Sequence, residues 1–205
     1  MIPVSLQPEP QDFFTKVREP GQKFLATTPH PTNKTWKNKE YWQNVIEDLY
    51  DAYDGVCAYS GEWIPCTTGD PTVDHYIPKS ISPRQAYEWD NFRLACLRFN
   101  RWKREFQDVL DPFTIIENSF QLLFPSLQVV ANPDLSYEGR EKISATIKRL
   151  RLNNGLCIKA RKRWVAPLVR GKISFDFMKE RAPFLAYEME RQGLVDKISE
   201  VMEFV

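Results

Sequence analysis

Between Cys57 and Lys103 the chain sets an acid beside a histidine at Asp74-His75, then the amides Asn91 and Asn100, then a lysine at Lys103. Asp74 and His75 read as part of a strand, where neighbouring side chains point to opposite faces unless the backbone is distorted. Asn100 and Lys103 lie three apart, so a helix starting near Phe99 puts both on one face.

The rest of the chain bounds that reading. With 205 residues, 42% of them hydrophobic, it can bury an ordinary core as one domain or a domain with a helical extension. The 28 basic and 27 acidic side chains leave a formal charge of +1, so phosphate binding has to come from local patches. No run approaches the ~18 apolar residues of a membrane span, and no export signal opens the chain. Four cysteines (Cys57, Cys66, Cys96, Cys157) without such a signal point to a reducing cytoplasm and no disulfides.

Read in order, residues 1–55 form an N-terminal arm and helix. Six prolines in residues 1–36 suggest an extended arm with one short helical piece near Asp12 to Val17. Trp42, Val45, Ile46, Leu49, Tyr50 and Tyr53 fall at helical spacing over Lys37 to Tyr53, and Asp54-Gly55 stops the helix. Residues 56–110 hold the core of interest. Residues 111–205 read as a strand and loop segment followed by a helical extension: strands in TIIENSFQLLF, a loop over PSLQVVANPDLS, then helices at about Ser136 to Leu152, Leu156 to Val169 and Phe175 to Arg191.

The residue types in 57–103 suit hydrolysis of a phosphodiester with one metal ion. The anionic phosphate repels a nucleophile and its alkoxide leaves poorly; a divalent ion eases both difficulties. Mg²⁺ or Mn²⁺ wants oxygen ligands, which Asp74 and the Asn100 amide can supply. A neutral imidazole with a pKa near ~6.5 suits the proton transfer, which makes His75 the candidate base. Taken singly, each has a plainer role: His75 a satisfied structural histidine, Asp74 a turn carboxylate, Asn91 a turn or cap, Asn100 a helix cap, Lys103 a surface lysine.

The wording VDHYIPKS, WDNFRLAC and LRFNRWK resembles the HNH endonuclease family, close to DHxxPxS, then N-L/F-x-x-L-C, then C-H/N-x-x-K. The resemblance implies an α+β chain with a ββα-metal finger embedded in a mainly helical domain. It implies His75 as general base, Asn91 fixing the loop that bears His75, Asp74 and Asn100 as metal ligands, and Lys103, with Arg101 or Arg104, at the substrate phosphate. Size and motif style are similar to bacterial antiphage effectors of the Septu and retron-associated kind, which implies DNA as substrate and a regulatory ATPase encoded alongside.

Many family members brace the finger with zinc on two CxxC pairs. Here the pairs read Cys57-Ala58-Tyr59-Ser60 and Cys96-Leu97-Arg98-Phe99, each without its second cysteine. Two thiolates fall short of a closed tetrahedral site, so no structural zinc is expected, and Cys57, Cys96 and Phe99 are expected to form an apolar plug.

A second basic group, Lys159, Arg161, Lys162 and Arg163 in KARKRW, reads as a solvated helix face or as a phosphate-binding surface extending the groove. Two other functions stay open: a non-catalytic nucleic-acid-binding or scaffolding protein that keeps the finger, and cleavage of RNA by the same groups.

Overall fold

Proline placement decides the first helix. A computed structural model describes residues 1–202, and in it a π-helical turn at Phe14–Arg18 runs straight into α1 (Glu19–Thr27). The expected stop after Val17 does not occur, because Pro20 falls in the first turn of α1, where its missing N–H would have had no partner anyway. Gly21 follows for a steric reason: a Cβ there would overlap the Tyr87 ring. The single helix expected over 37–53 divides into a 3₁₀ turn at Tyr41–Val45 and α2 (Ile46–Ala52). Asp54 and Gly55, both with positive φ, end it as the sequence suggests.

Strand β1 (Pro71–His75) pairs antiparallel with β2 (Phe92–Cys96), with Thr72 opposite Ala95, Asp74 opposite Arg93 and His75 opposite Phe92. Helix α3 (Leu97–Lys103) starts directly from β2 and packs on both strands. These elements belong to a compact unit of residues 5–57 and 64–107, so the arm and first helices group with the hairpin. Its core is aromatic: Phe13 meets Trp89 and Phe92 edge-on, and Trp36 meets Phe24 and Trp42 in the same way. Such pairs add about 0.5–1.5 kcal/mol each beyond area burial.

The other unit comprises residues 1–4, 58–63 and 108 onward, described to residue 202 of the expected 111–205 extension. Its hairpin joins β3 (Phe120–Leu123) to β4 (Gln128–Ala131), the latter lying where the sequence suggests a loop. Helices α4 (Tyr137–Arg149), α5 (Gly155–Val169) and α6 (Phe175–Arg181) open on Ser136, Asn154 and Ser174, whose side chains accept backbone N–H bonds as caps. The expected helix 175–191 breaks at Ala182, since Pro183 forces its predecessor out of the helical region, and α7 (Pro183–Arg191) restarts with that proline in its first turn. A short α8 (Ile198–Val201) follows. Within this unit Glu188, fully buried, accepts from the Leu122 N–H at 2.7 Å and from Arg191 at 2.8 Å, tying α7 to β3.

The chain is therefore α+β, with eight α-helices and two two-stranded antiparallel sheets among the described residues. Among those residues no helix is long and apolar enough to cross a membrane.

Candidate active site

Strand alternation separates the two residues of the Asp74-His75 pair. Asp74 shares a face with Thr72, and α3 lies against that face. The Asn100 amide donates to Thr72 Oγ1 at 3.0 Å and to the Val73 carbonyl at 3.1 Å. One helical turn on, Lys103 Nζ sits 3.2 Å from Asp74 Oδ2 and donates to the His75 carbonyl at 2.8 Å. Asp74 is 2% exposed and Lys103 0%, so this is a buried ion pair. Lys103, expected at the substrate phosphate, lies inside the fold in this structure: α3 turns its last residue inward, and the Asp74 carboxylate takes the ammonium.

His75 faces the other way. Its ring meets Trp42 edge-on at 4.6 Å and Phe92, its partner across the ladder, at 5.4 Å. Nε2 lies 3.0 Å from the Ala86 carbonyl, so in the neutral ring Nε2 carries the proton and Nδ1 the lone pair. Burial in this aromatic packing, with the charges of Lys79 and Lys103 nearby, pushes its pKa down to about 3 despite the Ala86 bond. His75 is half-buried in this packing, and desolvation outweighs the carbonyl that favours the cation.

Asn91 is 3% exposed and spans the loop after His75. Its Oδ1 accepts from the Ile77 N–H at 2.7 Å, and its Nδ2 donates to the carbonyls of Ile77 at 3.0 Å and Gln85 at 2.9 Å. The Tyr76 N–H donates to the Asn91 carbonyl at 2.9 Å. Every link is to backbone, so the residue shapes the loop and stays out of solvent.

Lys79, two residues further into the loop than Ile77, carries no signal in the sequence. Its ammonium stands 4.7 Å from the Trp42 ring centre and 5.5 Å from that of Trp36, and burial lowers its pKa. The position between Pro78 and Ser80 has no periodicity that would reveal this. Arg93 on β2 is buried at 3%, its guanidinium 5.2 Å from the centre of the Tyr76 ring.

Could this face hold a divalent ion? Among the described residues no group of three or more His, Cys, Asp or Glu side chains gathers as a metal cluster. A hard ion would rest on the Asp74 carboxylate and the Asn100 amide oxygen, with water completing its shell. The donor chemistry fits, because the Asn100 NH₂ is already turned toward Thr72 and Val73. The Asp74 carboxylate also holds a cation as it stands, the Lys103 ammonium.

The Cys57 and Cys96 thiols hydrogen-bond to each other, and that contact together with burial pushes the Cys96 thiol up. Phe99 is buried and meets Trp102 edge-on at 5.4 Å. Cys66 is exposed.

Of the other basic residues, Arg101 and Arg104 are exposed on and just after α3, and Lys159, Lys162 and Arg163 are exposed on α5. Arg161 is not part of that surface. It is 5% exposed and donates to the carbonyls of Leu127 and Leu152, both at 2.8 Å. The expected four-residue patch is corrected to three, because successive helical residues turn by about 100° and Arg161 points into its own unit. Trp164 packs on Phe177, with ring centres 6.4 Å apart.

No family model matches the chain, and no curated protein matches it.

Proposed function

We propose that this chain is a metal-dependent HNH-type endonuclease that hydrolyses DNA phosphodiester bonds, acting in the cytoplasm as a bacterial antiphage effector. The observation that carries the reading is the gathering of Asp74 from β1 with Asn100 and Lys103 from α3 on one face of a hairpin–helix unit. In this reading Asp74 and the Asn100 amide oxygen hold one Mg²⁺ or Mn²⁺, which when bound neutralises the charge that builds on the phosphate. Asn91 fixes the backbone of residues 76–85 so that the strand end keeps its shape. In the same reading His75, protonated at Nε2 toward Ala86, has its Nδ1 as the acceptor for the proton of the attacking water, a role that requires the ring to leave its seat on Trp42 and Phe92 opposite Asp74. Arg101 and Arg104 face solvent beside this unit and are the cations available to the substrate backbone. A regulatory ATPase as partner rests on the sequence resemblance alone.

A second reading, a nucleic-acid-binding or scaffolding protein without turnover, is favoured by one specific observation. The His75 ring is packed against Trp42 and Phe92 on the face opposite Asp74. Purified protein incubated with plasmid, linear duplex, single-stranded DNA and RNA, with Mg²⁺, Mn²⁺ or chelator, separates the two. The nuclease reading expects metal-dependent cleavage that Asp74→Asn and Asn100→Ala abolish. Binding without cleavage by the wild type supports the scaffold, and cleavage confined to RNA moves the substrate.

A further inference from the structure

Resting on the metal-dependent reading above, we infer that Lys103 is an internal counter-ion that occupies the cation position on Asp74, and that a divalent ion binds by expelling it. The buried carboxylate of Asp74 needs a positive partner, and the ammonium 3.2 Å from Oδ2 supplies one from within the fold. Lys103 is held there twice more, by its bond to the His75 carbonyl at 2.8 Å and by the Tyr76 ring, whose centre is 5.8 Å from Nζ. At 0% exposure the Lys103 ammonium is held inside the fold, where solvent does little to screen it from a second cation. Two cations on one buried carboxylate repel each other at close range, which favours release of the ammonium when a divalent ion binds.

The exchange has two consequences. The intrinsic affinity of the Asp74–Asn100 face for the ion is reduced by the competing ammonium, so the resting protein is a poor metal binder. The ion also releases a lysine from the strand end, which loosens the grip on the His75 carbonyl and frees a cation where the phosphate would lie. Lys103 thus reaches the role its motif position suggests only after metal enters.

The test reads lysine reactivity and metal affinity, not turnover. In the wild type with chelator, acylation of Lys103 followed by mass spectrometry should be far slower than that of exposed Lys23. Saturating Mn²⁺ should raise labelling at Lys103 and leave Lys23 unchanged. In Lys103→Met, which keeps the stem and removes the charge, Mn²⁺ should bind about ten-fold tighter or better by calorimetry, and the Asp74→Asn/Lys103→Met double variant should lose the gain. Lys103 that stays protected under saturating Mn²⁺ overturns the exchange, a result that needs only the wild type. So does a Lys103→Met affinity equal to that of the wild type. Cleavage by a wild type whose Lys103 remains protected would sink the exchange and leave the nuclease reading standing. Release of Lys103 by Mn²⁺ with no cleavage of any nucleic acid would do the reverse.

Discussion

His75 and Phe92 face each other across the β1–β2 ladder, their rings 5.4 Å apart and nearly perpendicular. This contact ties the imidazole to the aromatic core and makes its protonation state part of the fold's stability. The folded pKa of about 3 lies below the ordinary 6.5. Above pH 6.5 neither state binds the proton and the contribution is fully present. As pH falls below 6.5 the unfolded chain takes up a proton that the folded chain refuses, and stability is lost progressively until the pH nears 3. The loss runs at no more than about 1.4 kcal/mol per pH unit. Urea unfolding of wild type and His75→Phe at pH 7 and pH 5 should therefore show the wild type losing about 1–2 kcal/mol more than the variant. Parallel losses would place the His75 ring in water.

Asn91 makes a second stability prediction, this one local. Asn91→Ala strands the Ile77 N–H and two carbonyls, and should cost about 3 kcal/mol. Hydrogen exchange should speed up at the Ile77 amide, with the adjoining loop loosened before the rest of the unit. Asn91→Asp keeps the acceptor for Ile77 but turns an oxygen toward the two carbonyls, so it should be nearly as damaging. An Asn91→Ala protein with unchanged exchange at Ile77 would remove the residue from its clamping role.

How far the sequence foretells this geometry depends on range. The hairpin-to-helix grouping of Asp74, Asn100 and Lys103 follows from local periodicity, because short spacings along one stretch of chain leave it little choice. What Lys103 does there was not legible, since a lysine's head group goes where the nearest opposite charge lies and only the fold shows that Asp74 is buried. The same holds for His75: alternation places it opposite Asp74, but the packing that makes it a poor base comes from Trp42, on a distant upstream element, and from Phe92 on the partner strand. Strand β4 is hard to read because Pro125, Asn132 and Pro133 crowd its text, although only Gln128–Ala131 pair. The α6–α7 break was readable from Pro183 alone.

Gly21 gives a prediction independent of any function. Gly21→Ala puts a methyl into the Tyr87 ring, and overpacking of this kind costs about 1–3 kcal/mol. A smaller residue at 87 should recover part of that cost, so that Gly21→Ala/Tyr87→Leu is less destabilised than the sum of the single variants. Strict additivity in denaturant unfolding would show that the clash is relieved elsewhere.

The α5 cations separate fold from binding within one helix. Lys159, Lys162 and Arg163 recur at i, i+3 and i+4, one solvent-facing stripe, whereas Arg161 lies off it and bridges the carbonyls of Leu127 and Leu152. Arg161→Met should cost about 2–4 kcal/mol, since two buried carbonyls lose a charged donor. Reversal of the other three to Glu should leave stability within about 0.5 kcal/mol, because surface changes away from buried groups rarely exceed that. If the stripe holds a nucleic-acid backbone, the triple reversal weakens binding to all sequences alike and lowers the salt dependence by roughly one counterion for each phosphate released. Binding that is unchanged across a salt titration assigns the stripe to solvent or to a protein partner. Reading KARKRW as a run predicts equal effects at all four positions; reading it as a helix predicts that Arg161 alone costs stability while its neighbours alone change the salt slope.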